Sequence, residues 1–180
     1  MNLPNKLTIF RIIMIPVFIL VLMKGFYYAS ALIFVIAALT DALDGYIARK
    51  YDLITNFGKI MDPLADKLLV TAALVCLVEL GDIAAWMVFV ILAREFTITA
   101  LRSVAASGGL VIAAGNSGKL KTVLQMVAIT AILLKNYPFE IWNFPFADIM
   151  LWAAVIMTIY SGAEYIVKNK EVFSMKEKTN

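Results

Sequence analysis

Asp41-Ala42-Leu43-Asp44-Gly45-Tyr46-Ile47-Ala48-Arg49 is followed, after eight residues, by Gly58-Lys59-Ile60-Met61-Asp62-Pro63-Leu64-Ala65-Asp66. Four aspartates thus stand in sequence that is otherwise apolar. Asp41 and Asp44 are three residues apart and Asp62 and Asp66 four apart, so on helices each pair shares a face. A carboxylate at membrane depth costs several kcal/mol unless it is paired or bound to a cation. A chain that keeps four of them together is expected to use them.

The surroundings of this stretch set the fold class. The chain has 180 residues, 62% of them hydrophobic, and a mean hydropathy of +0.87. That composition belongs to membrane proteins rather than to soluble domains of this size. Apolar segments long enough to cross a hydrocarbon core of about 30 Å as helices are expected at 5–23, 29–51, 57–80, 83–107, 118–135 and 146–167. Pro16 is expected to kink the first. The joints carry breakers: Lys24-Gly25, Gly81-Asp82, Gly108-Gly109, Gly115-Asn116-Ser117-Gly118 and Tyr137-Pro138. The run 12–23 lacks a small-x-small cleavage site, so it is read as a retained helix and not a signal peptide. The expectation is an all-α membrane protein with six spans and a cytoplasm-facing polar cleft, one domain over 1–167 and a basic tail over 168–180.

Composition also excludes chemistry. There is no histidine, which removes Ser-His-Asp and Cys-His catalysis and any phosphohistidine intermediate. Cys76 is the only cysteine, so neither a disulfide framework nor a cysteine metal site is available. A general base must come from a carboxylate or a lysine. The net charge of +3 is small, and its placement is more telling. With the N-terminus inside, only Lys24 and Lys135 of the 16 basic residues fall outside. That bias orients the chain with both termini cytoplasmic. No nucleic-acid partner is expected.

Helices 2 and 3 are expected to form an antiparallel hairpin turning near Leu53-Ile54, with Asp41 facing Asp66 and Asp44 facing Asp62. At ~1.5 Å per residue the inner level would lie about 18 Å from the turn. Four carboxylates so close cannot all ionise without compensation. Hard divalent cations with oxygen ligands supply it, and paired metals serve phosphoryl transfer. Ala42, Gly45, Ala48 and Gly58 keep the surroundings small, and Arg49 is placed to meet a phosphate. Two other readings remain open here: a cation or proton carrier, and an ion-pair network with Arg49, Lys59 and Lys67.

A second set of charges lies further on. Arg94 and Arg102, eight residues apart, share a helix face within an apolar run, with Glu95 beside them to orient one of the two. Lys119 and Lys121 open helix 5, whose N-terminus also favours anions. Together they suit a phosphate-bearing molecule, although Lys119 and Lys121 also read as ordinary cytoplasmic flanking charges.

The stretch from Asp41 to Asp66 matches D-x2-D-G-x2-A-R-x8-G-x3-D-x3-D at every fixed position. It resembles the signature of the CDP-alcohol phosphatidyltransferase family. Asn2-Leu3-Pro4-Asn5-Lys6-Leu7-Thr8 with Arg11, Arg94-Glu95 through Arg102, and Gly118-Lys119-Leu120-Lys121-Thr122 with Gln125 are similar to bacterial members that take glycerol 3-phosphate. The resemblance implies transfer of a phosphatidyl group from CDP-diacylglycerol to glycerol 3-phosphate in a bacterial cytoplasmic membrane. It implies two Mg²⁺ or Mn²⁺ ions on Asp41, Asp44, Asp62 and Asp66, with Asp66 also the general base. Asn5, Thr8, Gly45, Ala48, Arg49 and Gly58 would contact CDP-diacylglycerol, and Arg94, Arg102, Lys119 and Lys121 the acceptor phosphate. The family further implies a homodimer in contact with membrane lipid. Serine, inositol phosphate or phosphatidylglycerol are the alternative acceptors.

Overall fold

A computed structural model describes residues 3–51, 56–107, 112 and 115–170. The side chains of Asp44, Gly45, Ala48 and Arg49 lie outside that description. Among the described residues the fold is entirely helical: α1 (Leu3–Met23), α2 (Tyr27–Lys50), α3 (Asn56–Glu79), α4 (Ala85–Ser107), α5 (Asn116–Leu133), a 3-10 turn (Phe139–Trp142) and α6 (Phe146–Lys168). The six long helices fall where hydropathy places them. α1 runs on through Pro16. α5 stops at Leu133, before the expected end at 135, because Lys135 and Asn136 turn left-handed at φ 52° and 60°. Two helices are long and apolar enough by themselves to cross a membrane, Asn5–Met23 and Phe146–Lys168. In α2 the apolar stretch ends at Asp41, where the acidic positions begin.

The chain forms two compact units. The first comprises residues 1–83 and 129–147. In it α1 packs along both α2 and α3, and α2 and α3 meet over a shorter stretch among the described residues. Phe18 and Leu22 of α1, Phe34 and Ala37 of α2, and Leu69, Ala73, Leu74 and Leu77 of α3 are buried together with Ile129 and Leu133. The Phe18 and Phe34 rings lie 6.0 Å apart. The small residues Ala31, Ala37, Ala65 and Ala73 are fully or nearly fully buried, which fits the close approach that helix packing in lipid requires.

α1 and α3 end in the same way. Gly25 (φ 82°) and Gly81 (φ 79°) adopt the left-handed conformation that glycine reaches without steric cost. The next amides, of Phe26 and Asp82, donate back to the carbonyls of Val21 and Leu77. These are Schellman endings, and they satisfy carbonyls that would otherwise be orphaned. Just past these ends, Tyr27 Oη donates to Asp82 Oδ2 (2.8 Å) and Lys135 Nζ donates to Asp82 Oδ1 (3.1 Å). The ammonium also stands 3.4 Å from the centre of the Tyr27 ring. One carboxylate thereby ties the turns that follow α1, α3 and α5. Asn136 closes the last connection: its Nδ2 donates to the Phe144 carbonyl and its Oδ1 accepts from the Ala147 amide at the start of α6.

The second unit comprises residues 84–128 and 148–180, built on α4, most of α5 and most of α6. Met87, Val88, Ile91, Ile98 and Ala105 of α4 are buried, as are Leu151, Ala154, Val155, Thr158 and Ser161 of α6. Trp86 and Trp152 meet at 5.5 Å between ring centres. Thr158 Oγ1 donates to the Ala154 carbonyl within its own helix, so this polar core position is satisfied locally.

Candidate active site

In the first unit, α1 contributes most of what organises the acids. Arg11 lies on α1, its side chain 0% exposed, and its Nη1 donates to Asp41 Oδ1 at 2.6 Å. Asp41 itself is 38% exposed, so the pair runs from a closed cation to a carboxylate that reaches the surface. One helical turn earlier in α1, the buried Thr8 donates from Oγ1 to Asp62 Oδ1 at 2.6 Å. Each of these carboxylates therefore has one oxygen fixed by α1. Asn5 and Gly58 are buried in the same unit. Asp66 sits half-buried on α3.

The sequence expectation brought the acids together through a helix 2–helix 3 hairpin. Here α1 lies against both helices and bonds an acid on each. Thr8, expected beside CDP-diacylglycerol, is the hydroxyl that holds Asp62. Arg11 was absent from the expected site, yet an arginine inside an apolar helix carries the same signal that singled out Arg94 and Arg102. Asp44, Gly45, Ala48 and Arg49 lie on α2, and their side chains fall outside the described residues. Among the described residues, no group of three acids stands close enough to hold a metal ion. The donors that are visible suit a hard divalent cation. Asp41 and Asp62 are carboxylates, each held through one oxygen from α1, and carboxylate oxygen is the ligand such ions take.

The basic set belongs to the second unit. Glu95 Oε1 accepts from both Arg94 Nη1 (2.9 Å) and Lys121 Nζ (2.6 Å). Lys121 is 3% exposed and Arg94 is 14% exposed. The alternative reading of Lys121 as an ordinary flanking charge does not fit: such charges remain in water, and this one is enclosed and shares a carboxylate with an arginine. Lys119, two residues earlier, is exposed. Arg102 lies 5.5 Å from the centre of the Tyr165 ring on α6 and donates from Nε to its hydroxyl at 3.2 Å. Gln125, also on α5, is buried. Glu95, which the sequence places beside Arg94 to orient an arginine, holds Arg94, and Tyr165 is the organising partner that the sequence left without a role. Glu95 was readable as an intramembrane acid beside an arginine. Tyr165 was not, because it is 63 residues from Arg102.

The chain belongs to the CDP-alcohol phosphatidyltransferase family, whose sequence profile matches residues 1–160. Among its relatives, the CDP-diacylglycerol–glycerol-3-phosphate 3-phosphatidyltransferase of Bacillus subtilis (strain 168) is 50% identical, the match covering 94% of this chain and 96% of the relative. The protein of the same name from Rickettsia bellii (strain RML369-C) is 42% identical over 96% of this chain and 97% of its own. A probable phosphatidylglycerophosphate synthase of Mycobacterium tuberculosis (strain ATCC 25618 / H37Rv) is 40% identical over 93% of this chain and 81% of its own.

Proposed function

We propose that this chain transfers the phosphatidyl group of CDP-diacylglycerol to glycerol 3-phosphate, releasing CMP and phosphatidylglycerophosphate. The observation that carries the reading is near-full-length similarity to relatives named for that reaction, at up to 50% identity. It is supported by an acid-bearing region and a cation-rich region on the same chain, as a reaction between a diphosphate and a phosphorylated alcohol requires.

Asp41, Asp44, Asp62 and Asp66 would hold two divalent ions, Mg²⁺ or Mn²⁺. Bound there, the ions supply Lewis-acid neutralisation of the diphosphate and of the departing CMP. Arg11 and Thr8 fix one oxygen each of Asp41 and Asp62. Arg49 meets the diphosphate of the donor. Gly45, Ala48 and Gly58 leave room for the nucleotide, which Asn5 and Thr8 border. Asp66 takes the proton of the acceptor hydroxyl. The freed oxygen forms its bond to the lipid-linked phosphorus as the bond from that phosphorus to the CMP oxygen breaks. Arg94, Arg102, Lys119 and Lys121 bind the acceptor phosphate by charge-assisted hydrogen bonds. The basic set favours a phosphorylated acceptor over serine.

The same reading places six spans in a bacterial cytoplasmic membrane, with both termini and a polar cleft on the cytoplasmic side. Residues 1–167 form the working membrane domain, 168–180 a basic tail, and two copies associate as a homodimer. Purified chain in mixed micelles, given CDP-diacylglycerol labelled in the cytidine and each candidate alcohol, tests it. CMP release that needs both a divalent ion and glycerol 3-phosphate is the expected result. Release that is greatest with serine, inositol phosphate or phosphatidylglycerol overturns the acceptor. Absence of release with every alcohol, together with cation flux in proteoliposomes, would make the chain a carrier.

A further inference from the structure

Arg94 is seated in a slot made by two glycines from two other helices. A Cβ added at Gly162 of α6 would stand 3.1 Å from Arg94 Cγ, and one added at Gly118 of α5 would stand 3.3 Å from Arg94 Nη2. Both distances are tighter than ordinary van der Waals contact, so a side chain at either position would force the arginine to shift by a few tenths of an ångström. The two contacts fall at different points of one side chain, the stem and the guanidinium tip. The third constraint is Glu95, which holds Nη1 at 2.9 Å and Lys121 on the same oxygen. The buried Nε has no hydrogen-bond partner among the described residues. A guanidinium that is enclosed, pinned at one nitrogen and left with donor capacity is arranged for an incoming acceptor atom rather than for its own neighbours. Gly118 and Gly162 also lie within the helices α5 and α6, where glycine weakens the helix unless close packing requires it.

We propose that Gly118 and Gly162 are positioning residues for glycerol 3-phosphate: by having no side chain they set where the Arg94 guanidinium meets the acceptor's phosphate. The proposal rests on the reading of Arg94 as an acceptor-phosphate group and deepens it. Its consequence is specific. Alanine at either glycine displaces the guanidinium without removing it, so binding of the phosphorylated acceptor weakens while handling of CDP-diacylglycerol does not. Misplacement by 1 Å in a binding array can cost about a hundredfold. A few tenths of an ångström is therefore expected to raise the KM for glycerol 3-phosphate by roughly three- to tenfold, and Gly162→Val should do more than Gly162→Ala.

The experiment is a double-mutant cycle on the full chain in detergent, with two readouts. Gly118→Ala, Gly162→Ala, Arg94→Ala and the two double variants are compared by KM for each substrate and by thermal unfolding. The expected result is that each glycine variant raises the glycerol 3-phosphate KM and lowers the unfolding temperature in the wild-type background, and does neither once Arg94 is alanine. The KM for CDP-diacylglycerol stays put in the single glycine variants, which shows that the molecule is still folded. Glycine effects that persist undiminished in the Arg94→Ala background overturn the slot, whatever Arg94 itself does. Thermal coupling without any rise in acceptor KM in the glycine variants, when Arg94→Ala does raise it, confines the slot to packing and overturns the positioning role. If Arg94→Ala leaves the acceptor KM unchanged, the acceptor reading of Arg94 fails, and the proposal fails with it even where thermal coupling is seen.

Discussion

The two charged regions of this protein are built with opposite balance. In the set that Arg11 and Thr8 organise on α1–α3, carboxylates outnumber the cation. One fully buried arginine and one hydroxyl each hold a single carboxylate oxygen. On α4–α6, cations prevail: Arg94 and Lys121 share one oxygen of one glutamate, and Arg102 leans on a tyrosine rather than an acid. In the first region the organising groups restrain acids. In the second they restrain bases and leave positive charge over. Excess charge of a given sign, held rigid at low dielectric, is a seat for the opposite charge. Under the proposed function the first region would seat cations and the second an anion, each using a minority of opposite charge to fix geometry rather than to neutralise.

The contrast can be broken most severely at Asp66. If the acid region performs the chemistry, Asp66→Asn should lower turnover by about 10²–10⁴-fold, measured as CMP release, while binding of CDP-diacylglycerol to the purified chain changes far less. A variant with near-normal turnover would return the base role to another group and leave the acid region as a cation seat alone.

Arg11 tests whether the minority charge is structural. Removing one partner of a buried ion pair typically costs about 3–5 kcal/mol. Arg11→Ala should fall at the lower end, because Asp41 is part-exposed and water can reach the carboxylate left behind. Chemical unfolding in detergent measures it, and Arg11→Lys should recover only part of the loss. An unchanged midpoint would show that α1 does not organise the acids.

In the basic region the effects should be smaller and divided between binding and stability. A charge-assisted bond is worth about 1.5–3 kcal/mol, so Arg94→Ala and Arg102→Ala are each expected to raise the glycerol 3-phosphate KM by roughly ten- to a hundredfold if the bond acts equally in ground and transition states. The exposed Lys119 should matter less than either. Glu95→Gln should lower stability by about 1–3 kcal/mol, because two enclosed donors lose a charged acceptor. Should Lys119→Ala prove the most damaging to acceptor binding, the enclosed cations would be packing elements and the comparison would lose its second half.

The smallest effect lies at the tie between turns, outside both regions. Burial alone would depress the pKa of Lys135, but hydrogen bonds to Tyr27 and Asp82 and the charge of Asp82 outweigh it and hold the pKa above the ordinary lysine value. A group raised on folding stabilises fully below its unfolded pKa, about 10.4 for lysine, and that contribution disappears as pH rises through the higher folded value. The unfolding temperature of the wild type should therefore owe nothing to Lys135 titration between pH 7 and 9 and should fall more steeply above about 10.4 than that of Lys135→Met. Parallel alkaline limbs would remove the tie as a source of stability.

Much of this was legible in the amino-acid sequence. Apolar run length and the breakers between runs located all six long helices, because a chain in lipid must satisfy its backbone within each segment. The spacing from Asp41 to Asp66, fixed in primary structure, carried the family. The sequence also exposed Arg94 and Arg102 as charges inside an apolar run. Only the tertiary structure decided what those charges do to one another. It put α1 against both acid-bearing helices, so that Arg11 and Thr8 reach Asp41 and Asp62 across 30 and 54 residues of chain. It enclosed Lys121, left Lys119 in the open, and threaded Arg94 past Gly118 and Gly162. The physical reason is that periodicity reports which face of a helix is apolar, whereas pairing energies and steric clearance depend on which other helix that face meets, and no local pattern encodes that neighbour.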